Sequence, residues 1–164
     1  RSALASLVRR LAWLEEDVDR LDKDMLLLAR QPRYALMCEE LRKEIGVGWL
    51  VAMVFITEMG DMTRFANRKD IGCYIGLVPG SNDTGETKRA GHITCQGSHR
   101  VRAVLCQAAW TRIRLHPGEK AAYLRICARN PKYRKIGVVA LMRRLAVQMW
   151  HIAVTAQRKQ QAAA

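Results

Sequence analysis

Hydroxyl and basic side chains occur together between residues 76 and 102. Residues 76–91 read GLVPGSNDTGETKRAG, a stretch rich in glycine and polar residues, and they carry the alcohols of Ser81, Thr84 and Thr87. The basic side chains that accompany these alcohols are Lys88, Arg89, His92, Arg100 and Arg102. A hydroxyl that attacks a phosphodiester needs a fixed position, and it needs donors or cations that stabilise the charge on the phosphoryl oxygens. The stretch offers both.

The same residues fit a simpler interpretation. NDTG is a typical turn sequence, in which Asp83 and Thr84 hydrogen-bond to the local backbone. The basic residues would then only hold a nucleic acid through its phosphates. Residue types alone favour this second interpretation, and both are kept open.

The charge distribution indicates a polyanionic partner. The chain has 28 Lys and Arg against 15 Asp and Glu. Residues 1–83 hold 12 basic and 13 acidic residues, whereas residues 84–164 hold 16 basic and 2 acidic ones. The positive charge therefore begins inside the hydroxyl-bearing stretch, which favours binding to nucleic acid.

Several other functions lack support in the sequence. No HExxH, GxxxxGK[ST] or nucleophile-elbow pattern is present. The spacing of His92, Cys95, His99 and Cys106 is not that of a standard zinc site, and the second half has too few carboxylates for a two-metal centre. We expect no metal or other cofactor bound by this chain, no membrane span, and reduced cysteines in a bacterial cytoplasm, close to the nucleoid.

The N-terminal region has a heptad pattern. Its apolar residues alternate at spacings of three and four, as in an a/d seam of about four heptads: Leu4, Leu7, Leu11, Leu14, Val18, Leu21, Met25 and Leu28. This predicts a coiled coil that joins two or more chains. The alternative is a single amphipathic helix packed on its own domain. Pro32 should end or kink the helix.

Two glycines precede a strongly apolar helix. Gly46 and Gly48 flank Val47, between a helix predicted over residues 34–44 and the helix that begins near Trp49. Such a turn, together with the N-terminus of the next helix, can approach a phosphate closely, as in a helix-hairpin-helix. An ordinary helix connection is the competing interpretation.

The rest of the chain reads as further helices around at most a short hairpin near residues 78–94. Helices are predicted from Ser98, as N-cap, to Leu115, over about 120–128, and from 136 to about 157, with Arg143 and Arg144 facing outwards. On the helix after Ser98, the apolar stripe excludes Arg112. The predicted fold is mainly α. Its parts are coiled-coil helices over 1–44, a compact helical domain over 45–157, and a frayed polar tail over 158–164.

An ordered series of segments resembles a known family. IGVG, RFANRKDIGCYIGLVPG, DTGETKRAGHIT, QGSHRVRAVLCQAAW and KIGVVALMRRLAVQMW cover residues 45 to about 153. They resemble the C-terminal transposase domain of the IS one-ten family of bacterial insertion-sequence recombinases, which includes the Piv-type DNA invertases. The heptad segment is similar in position to the coiled coil that joins this domain to a RuvC-like nuclease domain. The chain begins at Arg1 rather than Met, and we expect that domain upstream of it.

The resemblance implies a mechanism and partners. In this family a serine in a GLxPxxxxSG context is thought to form a covalent phosphoserine link to DNA, beside magnesium held by the RuvC-like carboxylates. The matching position here is Thr84, which keeps the hydroxyl but adds a methyl group. A structured bridge RNA and a dimeric or tetrameric assembly are also implied. The nucleic-acid contacts that we expect on these grounds are Gly46, Gly48, Lys88, Arg89, His92, Arg100, Arg102, Arg143 and Arg144.

Two hypotheses from different classes follow. In the first, the chain is the catalytic and DNA-binding part of a recombinase, and Thr84 is the nucleophile. In the second, it is a nucleic-acid-binding and oligomerisation module without catalysis of its own.

The heptad seam makes a testable prediction about assembly. Residues 4–28 should pair with another chain, because the seam otherwise leaves a long apolar stripe in water. Sedimentation at tens of micromolar should therefore show a dimer or a larger species. A strictly monomeric chain, with residues 4–28 packed on their own domain, would contradict it.

Overall fold

The computed structural model describes residues 2–84 and 87–162; for residues 81–84, 87–90 and 131 it describes the backbone only. Within these ranges the chain forms seven α-helices and one antiparallel hairpin, so the mainly α prediction is confirmed. The helices are α1 (Ser2–Ala29), α2 (Pro32–Arg42), α3 (Trp49–Met59), α4 (Arg68–Ile75), α5 (His99–Leu115), α6 (Pro117–Arg129) and α7 (Arg134–Ala162). The strands are β1 (Pro79–Thr84) and β2 (Thr87–Ile93), and short 3-10 turns lie at Met62–Arg64 and Pro131–Tyr133.

Helix α7 is the central element of the compact part. It packs against α2, α4, α5 and α6, while α3 packs on α2 and α5. The core between them is built from large apolar side chains that are almost fully buried, among them Leu41, Phe55, Met59, Leu105, Leu145 and Met149. The short turn after α3 is fastened to α7, because the Trp150 indole donates to the Met62 carbonyl at 2.9 Å.

Helix α6 runs antiparallel to both α5 and α7, as the contacts along its length show. Trp110 of α5 stacks edge-on with Tyr123 of α6, and Arg112 pairs with Glu119 closer to the α5–α6 turn. Between α6 and α7, Glu119 pairs with Arg144, and Tyr123 lies against Gly137. The start of α5, the end of α6 and the start of α7 therefore lie at one end of this layer. The hairpin enters α5 at that same end.

Helix α1 extends away from this core. Its last turn contacts α2 and α3, and Ala29 is buried there. The seam residues from Leu4 to Leu21 are exposed, so this chain's own described residues do not cover them. The alternative in which the whole seam packs on its own domain is therefore not the arrangement found, and pairing between chains stays a prediction. As predicted, a break separates α1 from α2 at Pro32.

Two predictions about helices were wrong. Helix α7 continues to Ala162 rather than fraying after Gln157, and Gln160 in this extension donates to the Pro32 carbonyl. Arg112, predicted to point away from the apolar stripe of α5, has a side chain only 8% exposed. Among the described residues, no helix combines the length and the apolar character needed to cross a membrane.

Arg112 is buried because acceptors from three other segments converge on it. Its guanidinium donates to Glu44 at 3.0 Å, and to Glu119 and Gln148 at 3.2 Å each. Glu119 is 4% exposed and accepts a second ion pair from Arg144, whose side chain is 58% exposed. One arginine thus connects the segment before α3 with α5, α6 and α7.

Removing the buried charge of Arg112 should lower the free energy of unfolding far more than removing the exposed charge of Arg144. Arg112→Met keeps much of the side-chain volume but leaves Glu119 without its buried partner, which should cost about 3–5 kcal/mol. Arg144→Met removes a largely exposed partner of the same carboxylate and should cost about 1 kcal/mol or less. Urea unfolding of the two variants measures both. Equal losses would show that Arg112 does not stabilise the fold in this way.

Candidate nucleic-acid interface and hydroxyl-bearing hairpin

The hairpin places Thr84 at its turn. Strand β1 pairs antiparallel with β2, with Pro79 opposite Ile93, Asp83 opposite Lys88 and Thr84 opposite Thr87. Thr84 is thus the last residue of β1 and lies next to the connection, while the register shifts between Pro79 and Ser81 at the base. The side chains of residues 81–90 lie outside the description. The roles predicted for Thr84, Lys88 and Arg89, and the contribution of Ser81, therefore stay predictions.

His92 lies near the base of the hairpin rather than near Thr84. It is exposed, and its carbonyl lies 3.6 Å from where a Cβ on Gly80 would stand. His92 is five positions after Thr87, the partner of Thr84, and this spacing corresponds to about 16 Å along a strand. The structure therefore does not bring His92 and Thr84 to one phosphate. Among the hairpin residues predicted to contact nucleic acid, Lys88 and Arg89 lie in the half next to the turn, which also carries Thr84.

Close backbone contacts lock the base of the hairpin. Gly76 ends α4 with φ +76°, and a Cβ there would lie 2.1 Å from the Gln96 carbonyl oxygen. Gly97 has φ +115°, and a Cβ there would lie 2.0 Å from the Tyr74 carbonyl oxygen. The two segments are also hydrogen-bonded, since the Cys95 amide donates to the Gly76 carbonyl at 3.1 Å. The chain entering the hairpin and the chain leaving it are thus in direct backbone contact.

Arg102 joins these two segments. Its Nη1 donates to the Ile75 carbonyl at 2.9 Å and to the Gly97 carbonyl at 3.1 Å, and the side chain is half-buried. Sequence reasoning assigned Arg102 to phosphate binding, but here its donors satisfy carbonyls at the base of the hairpin. Its observed contacts are therefore those of a residue that positions the hairpin. The spacing of the arginines in the sequence gives no sign of this.

Arg100 is exposed and paired with a carboxylate. Its side chain is 73% exposed, and its Nη1 lies 3.2 Å from Glu58 at the end of α3. Hydrogen bonds from the Ser98 hydroxyl and from Arg100 hold the pKa of Glu58 below its usual range. Glu58 thus stays ionised at neutral pH, and its contribution to stability is lost as the pH falls through that lowered pKa. A phosphate that binds Arg100 has to compete with Glu58.

The two arginines of α7 have different neighbours. Both are exposed, as predicted. The Nε of Arg143 lies 3.5 Å from where a Cβ on Gly72 of α4 would stand, so this side chain covers α4 beside Val78. Arg144 is on the far side and pairs with Glu119. Arg143 is therefore the one near the base of the hairpin, and binding of phosphate by either residue stays a prediction.

The two glycines before α3 also have different environments. Gly46 has φ +84°, and a Cβ there would lie 2.8 Å from the Ala108 carbonyl oxygen of α5, so this glycine is required by packing. Gly48 is the N-cap of α3, is exposed, and has open space around it. The helix–turn–helix connection exists as expected. Its use as a phosphate-binding helix-hairpin-helix stays a prediction, and Gly48 is the glycine with room for a ligand.

The expectation that this chain binds no metal stays a prediction. No group of three or more His, Cys, Asp or Glu side chains among the described residues is close enough to hold a metal ion. Glu119 is buried in its ion pairs, and Glu58 accepts from Arg100. These carboxylates are therefore already engaged with protein partners.

Nothing in the sequence indicated a cluster of one arginine and two aromatic rings near the end of α3. Arg64 lies 4.5 Å from the ring centre of Phe65 and 4.4 Å from that of Tyr74, and the two rings pack edge to face. Tyr74 also donates to the Glu58 carbonyl. The cluster holds α4 against the end of α3 and so supports Glu58 and Arg100.

Comparison with known proteins identifies the class to which this arrangement belongs. The sequence profile of the IS116/IS110/IS902 family of transposases matches residues 38–124, which run from α2 through the hairpin into α6. Because the match covers more than half of the chain, the protein belongs to this transposase family. The resemblance recognised in the sequence is thereby confirmed.

Individual relatives agree with this assignment. The protein y4qE of Sinorhizobium fredii, which its name assigns to the transposases, is 44% identical over 77 residues, covering 47% of this chain and 20% of that protein. The transposase for insertion sequence element IS1328 of Yersinia enterocolitica is 26% identical over 125 residues, covering 63% and 37%. The transposase for IS1111A of Coxiella burnetii is 28% identical over 72 residues, covering 44% and 20%. The chain thus spans between a fifth and two fifths of the length of these relatives.

The locked base makes a prediction that separates a glycine in a close backbone contact from a glycine without a neighbour. Gly97→Ala forces a Cβ to 2.0 Å from a carbonyl oxygen and should cost more than about 3 kcal/mol. Gly60 also has a positive φ, +65°, with ψ −129°, but nothing lies within 4 Å of its Cβ position, so Gly60→Ala carries backbone strain alone and should cost less, about 1–3 kcal/mol. Thermal or urea unfolding compares the two. Similar costs would mean that the contact between Gly97 and Tyr74 is easily relaxed.

Proposed function

We propose that this chain is the catalytic and DNA-binding part of a DNA transposase, and that Thr84 supplies the alcohol that attacks DNA. The observation that carries the proposal is the position of Thr84, at the turn of a hairpin whose base is locked, within the region matched by the family. A nucleophile has to be held accurately relative to its target, and a rigid support provides this.

The reaction is a transesterification. The Thr84 oxygen forms a bond to phosphorus while one phosphodiester oxygen leaves as a deoxyribose hydroxyl. The alcohol loses its proton, and the leaving oxygen gains one, so no oxidant or reductant is consumed. Lys88 and Arg89, on the strand that faces Thr84, are the candidates for stabilising the phosphoryl charge.

Assembly and RNA partners belong to the same proposal. The exposed seam of α1 supports a dimer or tetramer. A structured guide RNA is proposed from the family resemblance, and the excess of cations after residue 84 is compatible with it.

A nucleic-acid-binding module without catalysis is the second candidate. It is favoured by the threonine at the position of the family's serine, since the added methyl group crowds in-line attack and restricts rotation about χ1.

Formation of a covalent protein–DNA adduct distinguishes the two candidates. In the full-length protein with suitable DNA and RNA, Thr84→Ser should keep or increase the adduct because the smaller alcohol removes the methyl group. Thr84→Ala should abolish the adduct and leave DNA binding nearly unchanged. Denaturing electrophoresis of labelled DNA measures the adduct.

Ser81→Ala is the matched control, because Ser81 is the nearest other alcohol on the same strand. It should leave the adduct unchanged. An adduct that persists in Thr84→Ala and disappears in Ser81→Ala would assign the nucleophile to Ser81. No adduct in either the wild type or Thr84→Ser would favour the binding module.

A further inference from the structure

The corner between α6 and α7 carries five exposed cations within eleven residues. We call this surface the basic corner: it consists of Arg125, Arg129, Lys132, Arg134 and Lys135. None of these side chains forms an ion pair with a described carboxylate. The sequence after Glu119 contains no Asp or Glu, and Glu119 itself is buried against Arg112. No carboxylate in the described part of the chain therefore neutralises the charge of the corner through an ion pair.

The corner has a defined backbone. Asn130 ends α6, and its side-chain oxygen accepts from the Lys132 amide at 2.9 Å. Its carbonyl accepts from the Tyr133 amide at 2.9 Å, and its amide donates to the Cys127 carbonyl at 3.2 Å. These bonds fix the short turn through which α6 enters α7. The cations are thus carried on an ordered scaffold.

Two of these cations lie at a helix N-terminus, where a positive charge is unfavourable. Arg134 and Lys135 occupy the first turn of α7, and this turn holds no acidic residue. The N-terminus of a helix carries a partial positive charge, so cations there destabilise the helix, each by a few tenths of a kcal/mol. Residues that contradict local stability are expected where function requires them. A bound phosphate would reverse the effect, since it interacts favourably with both the side chains and the helix terminus.

The position and charge of the corner indicate its partner. It lies at the end of the α5–α7 layer at which the hairpin enters α5, so a nucleic acid held at the hairpin passes near it. Neither of the two best-formed pockets among the described residues is lined by a residue of the corner, and its five cations are exposed. Duplex DNA carries a charge for about every 1.7 Å of its axis, so five exposed cations carried within eleven residues can meet several phosphates at once.

We propose that the basic corner binds the phosphate backbone of duplex DNA and extends the interface beyond the hairpin. The inference rests on the proposed function, since it takes DNA as the partner. It adds a site that neither the sequence pattern nor the family match assigns. The binding is independent of base sequence, because contacts between cationic side chains and backbone phosphates carry no direct sequence information.

The test compares two adjacent pairs of cations on the same helix. Arg134→Gln with Lys135→Gln removes two charges at the start of α7. Arg158→Gln with Lys159→Gln removes an Arg and a Lys, also exposed, about 36 Å away near the end of that helix. Both variants lose the same net charge, so any difference between them reports position. Affinity for an arbitrary DNA duplex of about 30 base pairs is measured between about 50 and 200 mM salt.

The corner variant should bind DNA roughly tenfold or more weakly at about 100 mM salt. Its slope of log affinity against log salt should also be smaller by about two. The control variant should bind like the wild type. Thermal unfolding excludes misfolding as the cause. The corner variant should melt at or above the wild-type temperature because it removes cations from a helix N-terminus, whereas the control removes favourable cations from near a C-terminus.

Equal binding by the two variants would overturn the proposal. Weakened binding to an RNA duplex of the same sequence, with DNA binding unchanged, would overturn the assignment to DNA. A wild-type chain without salt-dependent DNA binding would overturn both this site and the DNA-binding part of the proposed function. If no Thr84 adduct forms but the corner variant still binds DNA more weakly than the control, the catalytic proposal is wrong and the proposed DNA-binding site at the basic corner is retained.

Discussion

The arrangement of the compact part depends on a single buried arginine. Arg112 has acceptors from three directions, namely Glu44 before α3, Glu119 on α6 and Gln148 on α7. A buried guanidinium is tolerated only when its donors and charge are satisfied, so these segments have to be present together. The turn that contains Gly46 packs against the same part of α5, with Arg112 Cγ 3.3 Å from the position of an added Cβ. The interaction therefore sets the register of α5, α6 and α7, and with it the end of the layer to which the hairpin is attached.

The same interaction shapes the surface charge. Glu119 is the last acidic residue in the sequence, and it is used in the interior. No carboxylate follows it in the chain, so the outer faces of α6 and α7 are basic. The surface is thus positive partly because the carboxylate of Glu119 neutralises Arg112 in the interior. At the other end of α5, Glu58 accepts a hydrogen bond from Ser98 and pairs with Arg100. The cations near the hairpin therefore differ in how free they are to bind a phosphate.

Much of this architecture could be predicted from the sequence, and the failures have physical causes. The break at Pro32, the Ser98 cap and the apolar stripe of α5 follow local rules, and the structure agrees with them. Arg112 was misassigned because burial of a charge depends on acceptors from segments distant in sequence. The carbonyl partners of Arg102 at Ile75 and Gly97 could not be predicted for the same reason, since they meet only after folding. Phosphate binding by Arg102 stays a prediction. The end of α7 was placed too early because a polar composition was taken as fraying, whereas Gln160 is anchored to Pro32.

The contacts of the two strands are made mainly with each other, and among the described side chains of the hairpin Ile93, at its base, packs on the core. The length of the hairpin is therefore nearly independent of the rest of the domain. Adding or removing one residue on each strand would move the turn by about 3.3 Å and exchange the two faces, while a change of two would move it by about 7 Å and restore them. Insertions and deletions in this segment would therefore change how far the turn beside Thr84 reaches in steps of fixed size, without disturbing the folded core.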